Sequence, residues 1–235
     1  MTSDDTLTPN CLREYTEAFQ ELDDLCEGNI PVDIRRFDIR FRLSCGLQIG
    51  FDTEISRTKT ESVKKTYKAL MELNDLWFVY EGLYMLCRDR GVAKQSGSKH
   101  DPFVAEMIQE IGLQNNTQKL SLCFRAALLD EAIRRQDLFE YLEYLRNNTT
   151  GSTQIKNLGK LSELVQGNQG PSFGLWLSLI YSMRNLYVHS ADTAKAGVKR
   201  YTTKIIILKI SKDFLVQSMT LVAIALIRAE AARHE

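Results

Sequence analysis

The chain has no net charge: thirty Lys and Arg residues are matched by thirty Asp and Glu over 235 positions. No global field therefore draws it toward nucleic acid or a membrane surface, and any anion site has to be a local patch. Breakers are also scarce, with four prolines and thirteen glycines, while Leu, Ala, Glu, Lys and Arg are abundant. That balance favours helix. The five cysteines (Cys11, Cys26, Cys45, Cys87, Cys123) include no CxxC pair. Their odd number and irregular spacing exclude a disulfide framework or a zinc site, and reduced thiols within helices are expected. The longest apolar run, FLVQSMTLVAIALI (214–227), is broken by Gln217 and Ser218 and is too short and polar to span a bilayer. The first ten residues, MTSDDTLTPN, show neither the basic region nor the apolar core of a secretory signal. A cytoplasmic protein with no membrane partner is expected.

What is present organises as one helical domain, long enough to bury a sizeable core. Residues 1–8 are polar and expected to be disordered. Residues 9–59 form an N-terminal extension that opens with Thr8 as N-cap and Pro9 in the first turn. Within it, Phe37, Ile39, Phe41 and Leu43 alternate with charged residues at a strand period, whereas Ile34, Phe37, Phe41 and Cys45 fit a helix. The helical context favours the second reading. Residues 60–91 carry the strongest helical pattern, a broad apolar face closed by Gly91. The polar loop AKQSGSKH (93–100) follows, and Asp101 and Pro102 are placed to start the next helix. Further helices are expected over 117–129 and 130–146. RNNTTGSTQ and QGNQGPS bracket a short segment in 147–172, which reads as a loop-rich, exposed insertion. After a basic, flexible-looking loop, IIILKI (205–210) fits either a short irregular or β-like segment or a buried connector before a deeply buried last helix. The fold class is all-α, an up-and-down helical bundle.

Chemistry concentrates in LIYSMRNLYVHSAD (179–192). On a helix over 173–190, Trp176, Leu179, Ile180, Met183 and Tyr187 line one side, and Ser178, Ser182, Asn185 and His189 line the other. Arg184 projects from the flank. The polar stripe holds no Lys or Glu, the residues that normally solvate a surface. Small polar residues ending in a histidine are what close approach by another helix or a second subunit requires. Arginine offers a planar fork for a phosphate. Histidine is the side chain whose ordinary pKa lies nearest neutrality, suited to moving a proton. Asn185, one turn before His189, is placed to hold the imidazole or accept a ribose hydroxyl. No Asp, Glu and His cluster stands at metal-ligand spacing, and no cofactor is implied.

RNLYVH (184–189) resembles the R-(polar)-x₃-H motif of HEPN domains, with an aromatic shortly before the arginine and a small residue after the histidine. The resemblance is specific over about residues 175–192. More loosely it takes in the helix at 60–91, the loop at 190–204 and the terminal helix, so that 60–235 is the HEPN-like core; residues 1–59 resemble no family. It implies a helical bundle that dimerises to bring two motifs into one cleft, and in many members a metal-independent ribonuclease of a toxin or defence system. It gives Arg184 and His189 catalytic roles, with Asn185 supporting them and Ser182 behind. The tyrosine that follows the histidine in some toxins is replaced by Ser190, Ala191 and Asp192. Arg228 and His234 also satisfy the looser spacing, but Ala229 follows that arginine, and the pair is read as accidental.

Lys195, Lys199, Arg200 and Lys204 follow the motif with Tyr201 among them, a composition suited to tracking an RNA backbone and stacking a base. The leading expectation is a homodimeric endoribonuclease that cleaves single-stranded RNA by 2′-hydroxyl attack, held in check by an antitoxin or other regulatory protein. Two alternatives stand beside it. One is a catalytically silent module that binds a nucleotide or protein, and the other is a purely structural stripe that seals a dimer.

Overall fold

One helix near the C-terminus, α9 (Tyr201–Ala231), is buried on nearly every side: all seven residues from Phe214 to Thr220 are shielded from solvent. A helix apolar around its circumference has to be surrounded, and the remaining elements do this. The fold is a computed structural model that describes residues 8–94, 98–190 and 193–234, with the side chains of 8–11 left out. The expected disorder of the N-terminus and the Ala191–Asp192 end of the motif region therefore lie outside the described residues, Thr8 excepted. Among the described residues the protein is an all-α helical bundle with no strand.

Helices α1 (Thr8–Leu25) and α3 (Glu61–Asp89) both pack along α9, with α2 (Val32–Gly46) packed on α3. The helical reading of 31–55 holds for its first half: Ile34, Phe37 and Phe41 are buried, while Ile39 and Leu43 face out. Helix α3 starts where expected, with Thr60 Oγ1 accepting from the Val63 N–H, and Gly91 follows its end at φ 73°. After α4 (Ala105–Glu110), α5 (Leu113–Phe124) packs on α9 and runs through a π-helical turn (Arg125–Leu129) toward α6 (Ala132–Asn147). Then come α7 (Ser152–Gln166) and α8 (Phe173–Ser190). Trp176 of α8 is wedged between Phe124 and Phe214, with ring centroids 5.2 and 5.3 Å away. Large buried side chains of this kind contribute roughly 1.5–3 kcal/mol each by leaving water. The core is continuous from Tyr15 to Ile227, so residues 9–59 share it.

Three expectations change. IIILKI is neither strand nor connector, because α9 already begins at Tyr201 and buries Ile207 and Leu208. The 147–172 stretch is not an exposed, loop-rich insertion. It carries the 15-residue helix α7, which buries Leu158, Leu161 and Val165 against α6 and α8. Asp101 and Pro102 do not start a helix; α4 begins later, after Val104. Helix α9 meets the length and composition of a membrane span, yet 72% of its most apolar window is buried inside the fold, as in the core helix of a soluble protein. Cys26, Cys45, Cys87 and Cys123 are all free thiols.

Polar ties fix the ends of the helices. Arg90, just past α3, pairs with both Asp33 of α2 (2.8 Å) and Glu230 of α9. Lys204, buried near the start of α9, donates to the carbonyls of Thr193 (3.0 Å) and Ala196 (3.1 Å) and lies over the Tyr141 ring. The basic loop is thus pinned. At its centre Gly197 has φ 74°, and a Cβ there would meet the Tyr144 ring and lie 2.8 Å from Tyr141 Cδ2. Gly197→Ala combines left-handed strain with a clash and is expected to destabilise by about 2–4 kcal/mol, read as a lower urea midpoint at unchanged slope.

Candidate functional site

Helix α8 forms over the residues expected, Phe173–Ser190, but its polar stripe divides into two halves. Ser178 and Ser182 are buried, and their partner is α7 of the same chain. Asn157 Nδ2 donates to Ser178 Oγ at 2.8 Å. Gln154 Nε2 donates to Ser182 Oγ at 2.6 Å and also to the Ser178 carbonyl. The close approach demanded by small residues is thus made within the chain, and this half of the stripe is closed to a second subunit. Ser182 stands behind the motif as a structural neighbour, hydrogen-bonded to α7.

The other half opens outward. His189 is exposed in the last turn of α8, where an imidazolium also suits the helix dipole. Asn185 and Arg184 are half-buried and joined to each other, with Arg184 Nη1 donating to Asn185 Oδ1 at 3.1 Å. The guanidinium lies over the Phe78 ring of α3, 4.9 Å from its centroid. Its Nε is buried with no hydrogen-bond partner. Arg184 and His189 stand five residues apart, a rise of about 7.5 Å along the axis.

Arg184 is continuous with a cluster that the sequence did not mark. Glu81 on α3 carries the Lys99 ammonium at 2.5 Å. Partial burial pushes the Glu81 carboxyl up, but the Lys99 bond and the charges of Lys99 and Arg184 outweigh it and hold the group below its ordinary range. Lys99 lies over Tyr181 of α8 (4.4 Å) and Trp77 of α3 (5.7 Å). His100 packs edge-on to Tyr181 at 4.8 Å and stacks near Trp77 at 6.3 Å. Tyr80 donates to the Lys99 carbonyl at 2.6 Å. What read as a polar loop is, over its last residues, a segment laid across α3 and α8. The signal was hidden because Trp77 and Tyr80 read as core aromatics, and Lys99 acquires meaning only through Glu81, eighteen residues away.

The basic loop after α8 is arranged differently. Lys199 pairs with Glu140 at 2.8 Å and Arg200 approaches Asp137 at 3.6 Å, both on α6. Lys195 is exposed and Tyr201 half-buried at the start of α9. Two of the five residues expected to meet RNA are thus engaged by carboxylates within the chain, and a third, Lys204, is buried with its ammonium on loop carbonyls and does not face outward. Among the described residues, no three His, Cys, Asp or Glu side chains gather closely enough to hold a metal ion.

Burial lowers the His100 pKa to about 4 from the ordinary 6.5, with the Lys99 charge adding to the effect. The unfolded chain therefore takes up this proton first. The stability from a neutral His100 is complete above pH 6.5 and is lost as pH falls toward 4. After allowance for its partial exposure this amounts to roughly 1–3 kcal/mol. Urea unfolding at pH 7 and pH 4.5 checks it: the drop in stability between the two is expected to be smaller by about that amount in His100→Gln than in wild type.

Comparison with known protein families, characterised proteins and solved structures finds no match for this chain.

Proposed function

We propose that the protein is a HEPN-type, metal-independent endoribonuclease that acts on single-stranded RNA as a homodimer in the cytoplasm, within a toxin or defence system. The observation that supports this best is the state of Arg184. Its guanidinium is held by Asn185 and lies over the Phe78 ring, and His189 is exposed on the same helix. An arginine fixed in this way presents its fork to a phosphate without first having to be ordered.

In the reaction, the 2′-hydroxyl attacks the adjacent phosphorus and the bond from phosphorus to the 5′ oxygen breaks. Arg184 neutralises charge on the non-bridging oxygens. Histidine takes the 2′-hydroxyl proton and supplies one to the departing 5′ oxygen, leaving a 2′,3′-cyclic phosphate and a 5′-hydroxyl end. Asn185 acts through Arg184, as its positioning residue. One motif supplies one histidine, which is why the reading needs a second copy of the chain to complete the cleft.

The alternative, a silent binding module, draws support from Lys199 and Arg200, whose pairing with α6 leaves less free positive charge beside His189. Cleavage of mixed single-stranded RNA in EDTA separates the two. Wild type is expected to cleave, and His189→Ala and Arg184→Ala to lose at least about a hundredfold in rate with the dimer intact by light scattering. RNA binding without cleavage by wild type would favour the silent module, and a monomer that cleaves would overturn the composite site.

A further inference from the structure

The cations of the loop after α8 and those at the α3–α8 junction differ in local charge balance. Lys199 and Arg200 face two carboxylates, Glu140 and Asp137, and are locally neutralised. At the α3–α8 junction Glu81 pairs with Lys99, while Arg184 has no carboxylate at salt-bridge distance among the described residues and bonds to Asn185 instead, so one positive charge is left over. The same junction displays ring surface, since Phe78 is 37% exposed and Tyr181 half-buried. A positively charged patch with adjacent ring surface suits a ligand that alternates anionic groups with flat polar rings.

We infer that single-stranded RNA crosses the protein over Lys99, Tyr181 and Arg184, rather than along the loop at 195–201. Arg184 and Lys99 then contact successive phosphates, and Tyr181 or Phe78 offers a face to a base. Glu81 is a positioning residue that holds Lys99 in place over Tyr181 when no RNA is bound and competes with phosphate for it. The inference rests on the ribonuclease reading only in taking RNA as the ligand.

The competing role of Glu81 gives the inference a signature that a purely structural Lys99–Glu81 pair would not produce. Removing either member of a structural pair loosens the loop, so both variants would weaken binding. Under the inference they move in opposite directions. The probe is a fluorescein-labelled 2′-O-methyl oligouridylate, which lacks the attacking hydroxyl, followed by anisotropy across a salt series in EDTA. Lys99→Gln is expected to weaken binding about tenfold and to reduce the salt slope by about 0.7, the value for one lost single-strand phosphate contact. Glu81→Gln should tighten binding about threefold at low salt. The double variant Lys199→Gln, Arg200→Gln should stay within about twofold of wild type.

Weakening by both Lys99→Gln and Glu81→Gln, a loss confined to the loop double variant, or no binding by wild type would each overturn the inference. Lys99-dependent binding without cleavage of ordinary RNA would leave it standing and sink the ribonuclease reading. Cleavage that needs Arg184 and His189 while binding ignores Lys99 would do the reverse.

Discussion

The need to bury α9 on all sides shapes the rest of the chain. A 31-residue helix with Phe214, Leu215, Val216 and Met219 around its circumference cannot use a two-layer arrangement with one wet face. It is packed by α1, α3, α5, α6 and α8. Some of its buried polar residues find partners within the fold. Thr220 Oγ1 donates back to the Val216 carbonyl at 2.8 Å, and Lys204 turns its ammonium onto the carbonyls of the preceding loop. Thr193 and Ala196 of the loop before α9 are tied down as a consequence.

A second constraint acts on α8. Ser178 and Ser182 leave a shallow polar strip on an otherwise buried helix, and buried hydroxyls need partners. Gln154 meets the requirement with one amide that reaches both Ser182 Oγ and the Ser178 carbonyl, and Asn157 adds a bond to Ser178. The small residues thereby seat α7. Only past Ser182, where α7 no longer covers the stripe, do Asn185 and His189 become available to anything outside the chain. The boundary between structure and site falls within one helix turn.

Much of this was legible in the sequence. Periodicity and capping located α3 and α8 almost to the residue because both are long and bounded by turn-forming residues. The failures share one physical cause. Helix α7 was missed because its polar Gln154 and Asn157 looked like loop residues, when they are the complement of the serines on α8. The extra turns of α9 were missed because β-branched residues in 205–210 have strand propensity, which burial among neighbouring helices overrides. Lys99 and Glu81 were passed over because a lone lysine in a polar loop has no meaning until its partner is known. In each case the deciding partner lies far away in sequence. The Arg184 to His189 spacing was visible at once because both residues sit on one helix.

That helix prepares the two ends of the motif unequally. Arg184 enters the site with its plane set by Phe78 and its Nη1 by Asn185, so little side-chain entropy is left to lose on meeting a phosphate. Its partial burial also lowers the local dielectric, which strengthens whatever anion it meets. His189 has neither advantage. It is exposed at the helix end and forms no hydrogen bond or ion pair among the described residues. A histidine that moves a proton in a transition state has to be oriented, because proton transfer needs hydrogen-bond geometry as well as a suitable pKa. Under the ribonuclease reading, the chain supplies a fixed phosphate clamp and leaves the imidazole to be fixed from outside, by substrate or by a second copy packed against the open half of the α8 stripe. Monomeric protein is for that reason a poor catalyst under the ribonuclease reading: its arginine is ready, and its histidine is not.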